Sequence, residues 1–97
     1  MSGLVTLELP AKAGTLDEFM AVMKEALVAT REYSGCEKVE TYLEHNTSTV
    51  FLVEQWASAQ HQVEYMDWRM ETGLMDAIGG FLAGSPVART FDPKSDI

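Results

Sequence analysis

One cysteine, seven basic residues and no long apolar run are the scarcities of this 97-residue chain, and each of them removes a class of protein. Cys36 has no partner with which to close an internal disulfide, so the fold does not depend on an oxidising compartment. Seven Lys and Arg against fifteen Asp and Glu leave a formal charge of −8, which repels phosphate backbones and anionic lipid surfaces. Nucleic acid and membrane are therefore not expected as partners. The apolar runs are far shorter than a membrane span, and Met1-Ser2-Gly3-Leu4 carries neither a basic n-region nor a following apolar stretch, so the expected location is cytoplasmic. The chain also lacks a glycine-rich phosphate cradle, a nucleophile elbow, internal repeats, and any His or Cys pair at metal-ligand spacing. No metal site is expected.

What is present is an ordinary globular composition, 46% hydrophobic and 23% charged, in a length that suits a single domain over residues 1–97 with a polar tail at 93–97. The organising stretch is Thr49 to Trp56, whose two alternating faces are both mostly apolar: Val50, Leu52, Glu54 and Trp56 on one side, Phe51, Val53 and Gln55 on the other. Such a run predicts a central strand covered on both faces. Leu4 to Leu9 and Cys36 to Glu44 alternate in the same way, and His45-Asn46-Thr47-Ser48 is a turn that joins the latter to the central strand as a hairpin.

Thr15-Leu16-Asp17-Glu18 has the spacing of a capping box, and Leu16, Phe19, Met20, Met23 and Leu27 follow as one helical stripe, stopped at Ser34-Gly35. Ser58 is the expected N-cap of a second helical region running to about Ala83 with room for a break. On it Met66, Met70, Leu74, Ala77, Ile78 and Phe81 share one face, and Tyr65, Arg69, Thr72 and Asp76 lie roughly opposite. Val87 to Phe91 closes the chain as a strand, with Val87, Arg89 and Phe91 on one side. The order is βαββαβ, an α+β ferredoxin-like plan: a four-stranded antiparallel sheet with both helices on one face. The uncovered face is apolar enough to predict a homodimer packed sheet to sheet.

Val50-Phe51-Leu52-Val53-Glu54-Gln55-Trp56-Ala57-Ser58, together with Ser34-Gly35-Cys36 and the closing strand from Pro86 to Phe91, resembles the antibiotic biosynthesis monooxygenase family of small dimeric α+β-barrel proteins. The resemblance implies a cofactor-independent oxygenase that uses O₂ on a small electron-rich aromatic molecule, a quinol or an anthrone-like polyketide, in a pocket between sheet and helices. The tryptophan that ends the family's third strand matches Trp56. The helical histidines of many members are absent, since the corresponding helix here reads Glu64-Tyr65-Met66-Asp67-Trp68-Arg69. The haem-degrading branch, which relies on such a histidine, is disfavoured.

Four residues are candidates for the chemistry. Trp56 would supply a flat apolar wall with one N–H donor, whether or not it is also a core residue. Tyr65 and Arg69, one helical turn apart, can converge on a single anionic oxygen, or else form a cation–π pair on a solvated face. His61, five residues after Trp56, is either a proton acceptor or a surface residue at a helix start. Trp56, Trp68, Glu8, Phe19 and Met23 complete the expected substrate lining. Cys36 reads as a small buried hydrophobe. The competing class is a dimeric, non-catalytic ligand-binding or structural protein of the same fold.

Overall fold

The structure is a computed structural model and describes residues 3–97. Its elements are β1 (Gly3–Pro10), α1 (Leu16–Glu32), β2 (Cys36–Leu43), β3 (Thr49–Trp56), α2 (Ala59–Thr72), α3 (Leu74–Gly79) and β4 (Val87–Phe91). The strands form one antiparallel sheet in the order β2-β3-β1-β4, so the Thr49–Trp56 strand is interior, as its apolar faces require. Register follows the alternation. Leu7 lies opposite Leu52 and Leu9 opposite Val50, which gathers Val5, Leu9, Val39, Val50, Leu52, Glu54 and Trp56 beneath the helices, all buried.

The other face is uncovered. Across it run three rows set by the pairing: Val87-Glu8-Phe51-Tyr42, Arg89-Thr6-Val53-Glu40 and Phe91-Leu4-Gln55-Lys38. Tyr42, Val87 and Phe91 are exposed there, and Arg89 Nη1 donates to Glu8 Oε1 at 2.8 Å.

The stripe on α1 buries Phe19, Met23 and Leu27, and it continues one step further to Thr30. The start of α1 differs from expectation. Thr15 lies at φ −112° and ψ 0°, outside the extended region usual for a cap, and its hydroxyl donates to Lys12 O at 2.8 Å; it makes no side-chain cap and the Thr15/Glu18 box does not form. The hydroxyl is turned onto the preceding turn, and its oxygen reaches none of the free amides of the helix start. Ser58 does cap α2, its Oγ accepting from His61 N at 3.3 Å.

The second helical region breaks at Gly73, whose φ of 80° and ψ of 23° lie in the left-handed region that an L side chain rarely adopts. This break invalidates the single stripe projected through Met70. Met70 is 72% exposed, whereas Tyr65 and Arg69, expected on the opposite side, are the buried residues of α2. After α3, Lys12 N donates to Phe81 O at 2.7 Å and Ala83 N to Pro10 O at 2.8 Å, which stitches the chain back to the end of β1.

Candidate functional site

The space between sheet and helices contains two different clusters. Towards α3 it is aliphatic, with Leu9, Met23, Leu27, Val39, Val50, Leu52 and Ile78 around Phe19. Towards α2 it is aromatic, with Val5, Trp56 and Tyr65 flanked by Tyr33, Met66 and Trp68. Tyr33, at the end of α1, stacks on Trp68 with 5.3 Å between centroids and meets Tyr65 edge-on at the same distance. Trp56 is fully buried, 5.0 Å from Tyr65 by centroids. Hiding roughly 200 Å² of indole contributes about 5 kcal/mol gross at about 25 cal/mol per Å².

The polar groups of the layer concentrate at this aromatic end. Arg69, 8% exposed, donates through Nε to Tyr65 Oη at 2.7 Å and through Nη2 to Thr30 Oγ1 at 2.9 Å and to Ala26 O. Tyr65 Oη and Thr30 Oγ1 are 2.6 Å apart. Both oxygens accept from the guanidinium, and either hydroxyl can donate to the other. The guanidinium carbon also lies 4.8 Å from the Trp68 ring centre and 5.3 Å from that of Tyr65.

Those bonds use three of the five guanidinium N–H groups and leave the Nη1 pair without a protein acceptor among the described residues. Among the same residues Arg69 has no carboxylate within salt-bridge distance, for the ion pairs are Lys38–Glu40 and Arg89–Glu8. A buried cation without a counterion is costly unless something neutralises it.

Glu54, 5% exposed, comes to the same region from the sheet. Two residues before Trp56 on β3, it shares the pleat face of the indole, and Trp56 Nε1 donates to its Oε1 at 3.0 Å. Burial pushes the Glu54 carboxyl above the usual carboxylate range, against the opposing pull of the Trp56 hydrogen bond and the Arg69 charge. Cys36 also has a raised thiol, first through burial and then through the charge of Glu54, so it stays protonated and is a poor nucleophile.

Between these groups lies a small, partly open cavity of about 40 Å³. Glu54, Thr30, Tyr65 and Arg69 supply its polar wall, and Met23, Met66, Met70 and Met75 stand among the aliphatic lining. A larger open depression, about 300 Å³, lies at the far end of β1 and β4 by Leu4, Gln55 and Phe91, but it contains none of the buried polar groups. We take the small cavity as the site because the unmatched charges converge there.

Of the residues expected from sequence, Met23, Tyr65 and Arg69 line this cavity. Trp56 stands behind Glu54 and holds it, and Trp68 stacks on the far side of Arg69. Phe19 is fully buried against Phe81, 5.8 Å away, outside the lining. Glu8 projects from the open face, because alternation sets it with Leu4 and Thr6 rather than with Val5, Leu7 and Leu9. His61 sits at the start of α2 with Nδ1 2.7 Å from Ser58 Oγ, its ring against Gly35, where a Cβ would fall 2.3 Å from it. Two site residues, Thr30 and Tyr33, escaped the sequence reading, and a third, Glu54, was read as an inward-facing acid beside Trp56 without a role in the chemistry. Thr30 continues the α1 stripe three residues past Leu27, Glu54 is the one acid on the inward face of the central strand, and Tyr33 gave no signal beyond its type.

An antiparallel sheet of order β2-β3-β1-β4 with helices over one face makes this an α+β protein of ferredoxin-like architecture. Solved structures share it nearly end to end: a conserved protein of Methanosarcina mazei Go1 has a TM-score of 0.87 at 17% identity, covering 97% of this chain and 94% of that one. A Mycobacterium tuberculosis protein gives 0.86 at 15%, covering 98% and 97%. The monooxygenase of the ActVA-Orf6 gene of Streptomyces coelicolor, solved in complex with the ligand nanaomycin D, gives 0.81 at 19%, covering 99% and 90%. The antibiotic biosynthesis monooxygenase profile matches residues 3–69, and the chain belongs to that family. No curated protein sequence matches the chain significantly. Among the described residues no helix is long and apolar enough to cross a membrane.

Proposed function

We propose that this chain is a cofactor-independent monooxygenase that binds a small electron-rich hydroxyaromatic, of the quinol or anthrone kind, and oxidises it with O₂. The observation that carries the reading is Arg69: a buried guanidinium with no carboxylate in salt-bridge contact and two unused N–H groups at the edge of a small cavity. A cation held in that way stabilises a phenolate or enolate, the electron-rich form that can itself reduce O₂. The balance needs no outside reductant: an anthrone ring methylene and O₂ give a ring carbonyl and water, and a quinol and O₂ give a hydroxyquinone and water. Tyr65 and Thr30 fix the guanidinium, and Trp56 and Trp68 give the site its aromatic setting. His61 takes no part in this scheme and serves the helix start.

The cavity of about 40 Å³ is well below the roughly 150 Å³ that admits benzene, so binding displaces its walls. Four methionines, unbranched and polarisable, are walls that can move at low cost. The small volume is also the observation that favours the second reading, a non-catalytic ligand-binding or structural protein. Oxygen uptake with a panel of quinols and anthrones separates the two. Uptake that falls at least 100-fold in Tyr65→Phe and Arg69→Lys, both folded by circular dichroism, supports the enzyme, and ligand binding without uptake by the native protein supports the binder.

The open sheet face supports a homodimer. Leu4, Phe51 and Val53 flanked by Tyr42, Val87 and Phe91 form a broad apolar surface with charges towards both edges, suited to a second copy laid sheet to sheet over roughly 1,600 Å². The lone thiol Cys36 suits the cytoplasm.

A further inference from the structure

Glu54 and Arg69 are opposite charges, both buried, both lining one cavity, and yet not in salt-bridge contact. Buried charges of opposite sign ordinarily close on each other, because in a poorly solvated layer separation sacrifices the attraction that offsets desolvation. Here each is held off by its own element. Trp56 Nε1 ties the Glu54 carboxylate to the strand through Oε1, while Thr30, Ala26 and Tyr65 tie Arg69 to the helices. Among the described residues Trp56 is the one donor to that carboxylate, so its second oxygen remains available to a ligand. The remaining ionisable groups near Glu54 are Tyr65 on α2 and Cys36 on β2. α1, α3 and β1 bring to the cavity only Met, Ala, Leu, Ile and Thr side chains.

We propose that Glu54 is the base of the site: a neutral ligand hydroxyl is bound between the carboxylate and the guanidinium, gives its proton to Glu54, and remains as the anion facing Arg69. This rests on the reading of the cavity as the substrate site and deepens it by naming the substrate class, hydroxyaromatics too weakly acidic to arrive ionised. The ligand O–H bond breaks, its electron pair stays on oxygen, and the proton adds to the free oxygen of Glu54. Net charge in the cavity is unchanged, so the transfer avoids creating a new buried charge. When oxygen is consumed, the proton leaves with the oxygen atom released as water and the carboxylate is restored. A carboxyl whose affinity for protons is raised by burial is a better match to a weak acid than an ordinary one.

The test uses a nitrophenol whose anion alone absorbs visible light, added to the protein at a pH where the free probe is mostly neutral. The expected result is the anion spectrum on binding to the native chain and the neutral spectrum on binding to Glu54→Gln, which keeps the acceptor for Trp56 Nε1. Oxygen uptake on a weakly acidic substrate should fall by about 10²- to 10⁴-fold in Glu54→Gln and recover in part in Glu54→Asp. An anion spectrum that persists in folded Glu54→Gln, or uptake that keeps the native pH profile there, overturns the assignment of the base while leaving the cavity as the site. A native chain that binds no nitrophenol and consumes no oxygen overturns both. A Glu54→Gln chain that fails to fold passes the decision to Glu54→Asp, for which the same two spectra are read: the anion form supports the proposal and the neutral form overturns it.

Discussion

The two ends of the layer beneath the helices are built from the same sheet and the same α1, but to different standards. At the α3 end the side chains from Leu9 to Ile78 are aliphatic and close-packed around Phe19, with no charge to satisfy. At the α2 end Glu54, Arg69, Thr30 and Tyr65 are buried among rings, each polar atom with a protein partner or an edge on the cavity. The first arrangement stabilises without specifying any ligand. The second carries the desolvation of two charges, which a chain optimised for stability alone would avoid. That difference separates the part of this core that holds the fold from the part available for chemistry.

The comparison breaks most easily at Trp56. Replacement by Ala is expected to cost about 3–5 kcal/mol in denaturant unfolding, because it leaves a void and releases Glu54 from its donor. A cost below about 1 kcal/mol would mean that the aromatic end is loosely packed.

A smaller effect, of opposite sign, is expected for Glu54→Gln in thermal melts. Because burial raises this carboxyl, the folded chain binds its proton more tightly than the unfolded chain does. The native protein is thus most stable, relative to the variant, below the unfolded carboxyl range, and it loses that advantage as pH rises through the folded value. Glu54→Gln should melt higher than the native chain at mildly alkaline pH, with the gap closing in acid. A gap independent of pH would show that the carboxylate is solvated and the two ends are less different than they look.

The smallest effect on folding belongs to the open face. Arg89→Ala removes a half-exposed ion pair with Glu8 and should cost less than about 1 kcal/mol, while scattering of the native protein at low micromolar concentration should report twice the 10.8 kDa chain mass. A larger cost, or a folded monomer, would change the picture of that face.

Sheet and helix order were legible because period-two and 3.6-residue patterns are local: Val50/Leu52/Trp56 and Phe19/Met23/Leu27 declare their faces without any tertiary contact. The site was legible only in part. The assignment of Tyr65 and Arg69 to the side opposite Met66 and Met70 followed from treating the second helical region as one cylinder, and Gly73 ends that cylinder before the stripe is complete. The burial of Arg69 depends on a tyrosine and a threonine 4 and 39 residues away, and no window of the sequence holds that triad together. Glu54 was visible as an acid on an inward face, but its separation from Arg69 is a property of the assembled layer.

The left-handed residue at Gly73 also bears on how fast the cavity can fill. By cutting the helical region into α2 and the six-residue α3, it makes the wall that carries Leu74, Met75 and Ile78 a unit shorter than any other helix of the fold. Short units open locally at free energies below that of global unfolding, whereas the interior strand β3 opens only with the whole sheet. The carboxylate is therefore mounted on an interior strand and the aliphatic wall opposite on the shortest helix, whose amides are expected to exchange faster. If the cavity is the ligand site, as proposed, opening of α3 is expected to limit the admission of a ligand, with association slower than diffusion and the geometry around Glu54 preserved.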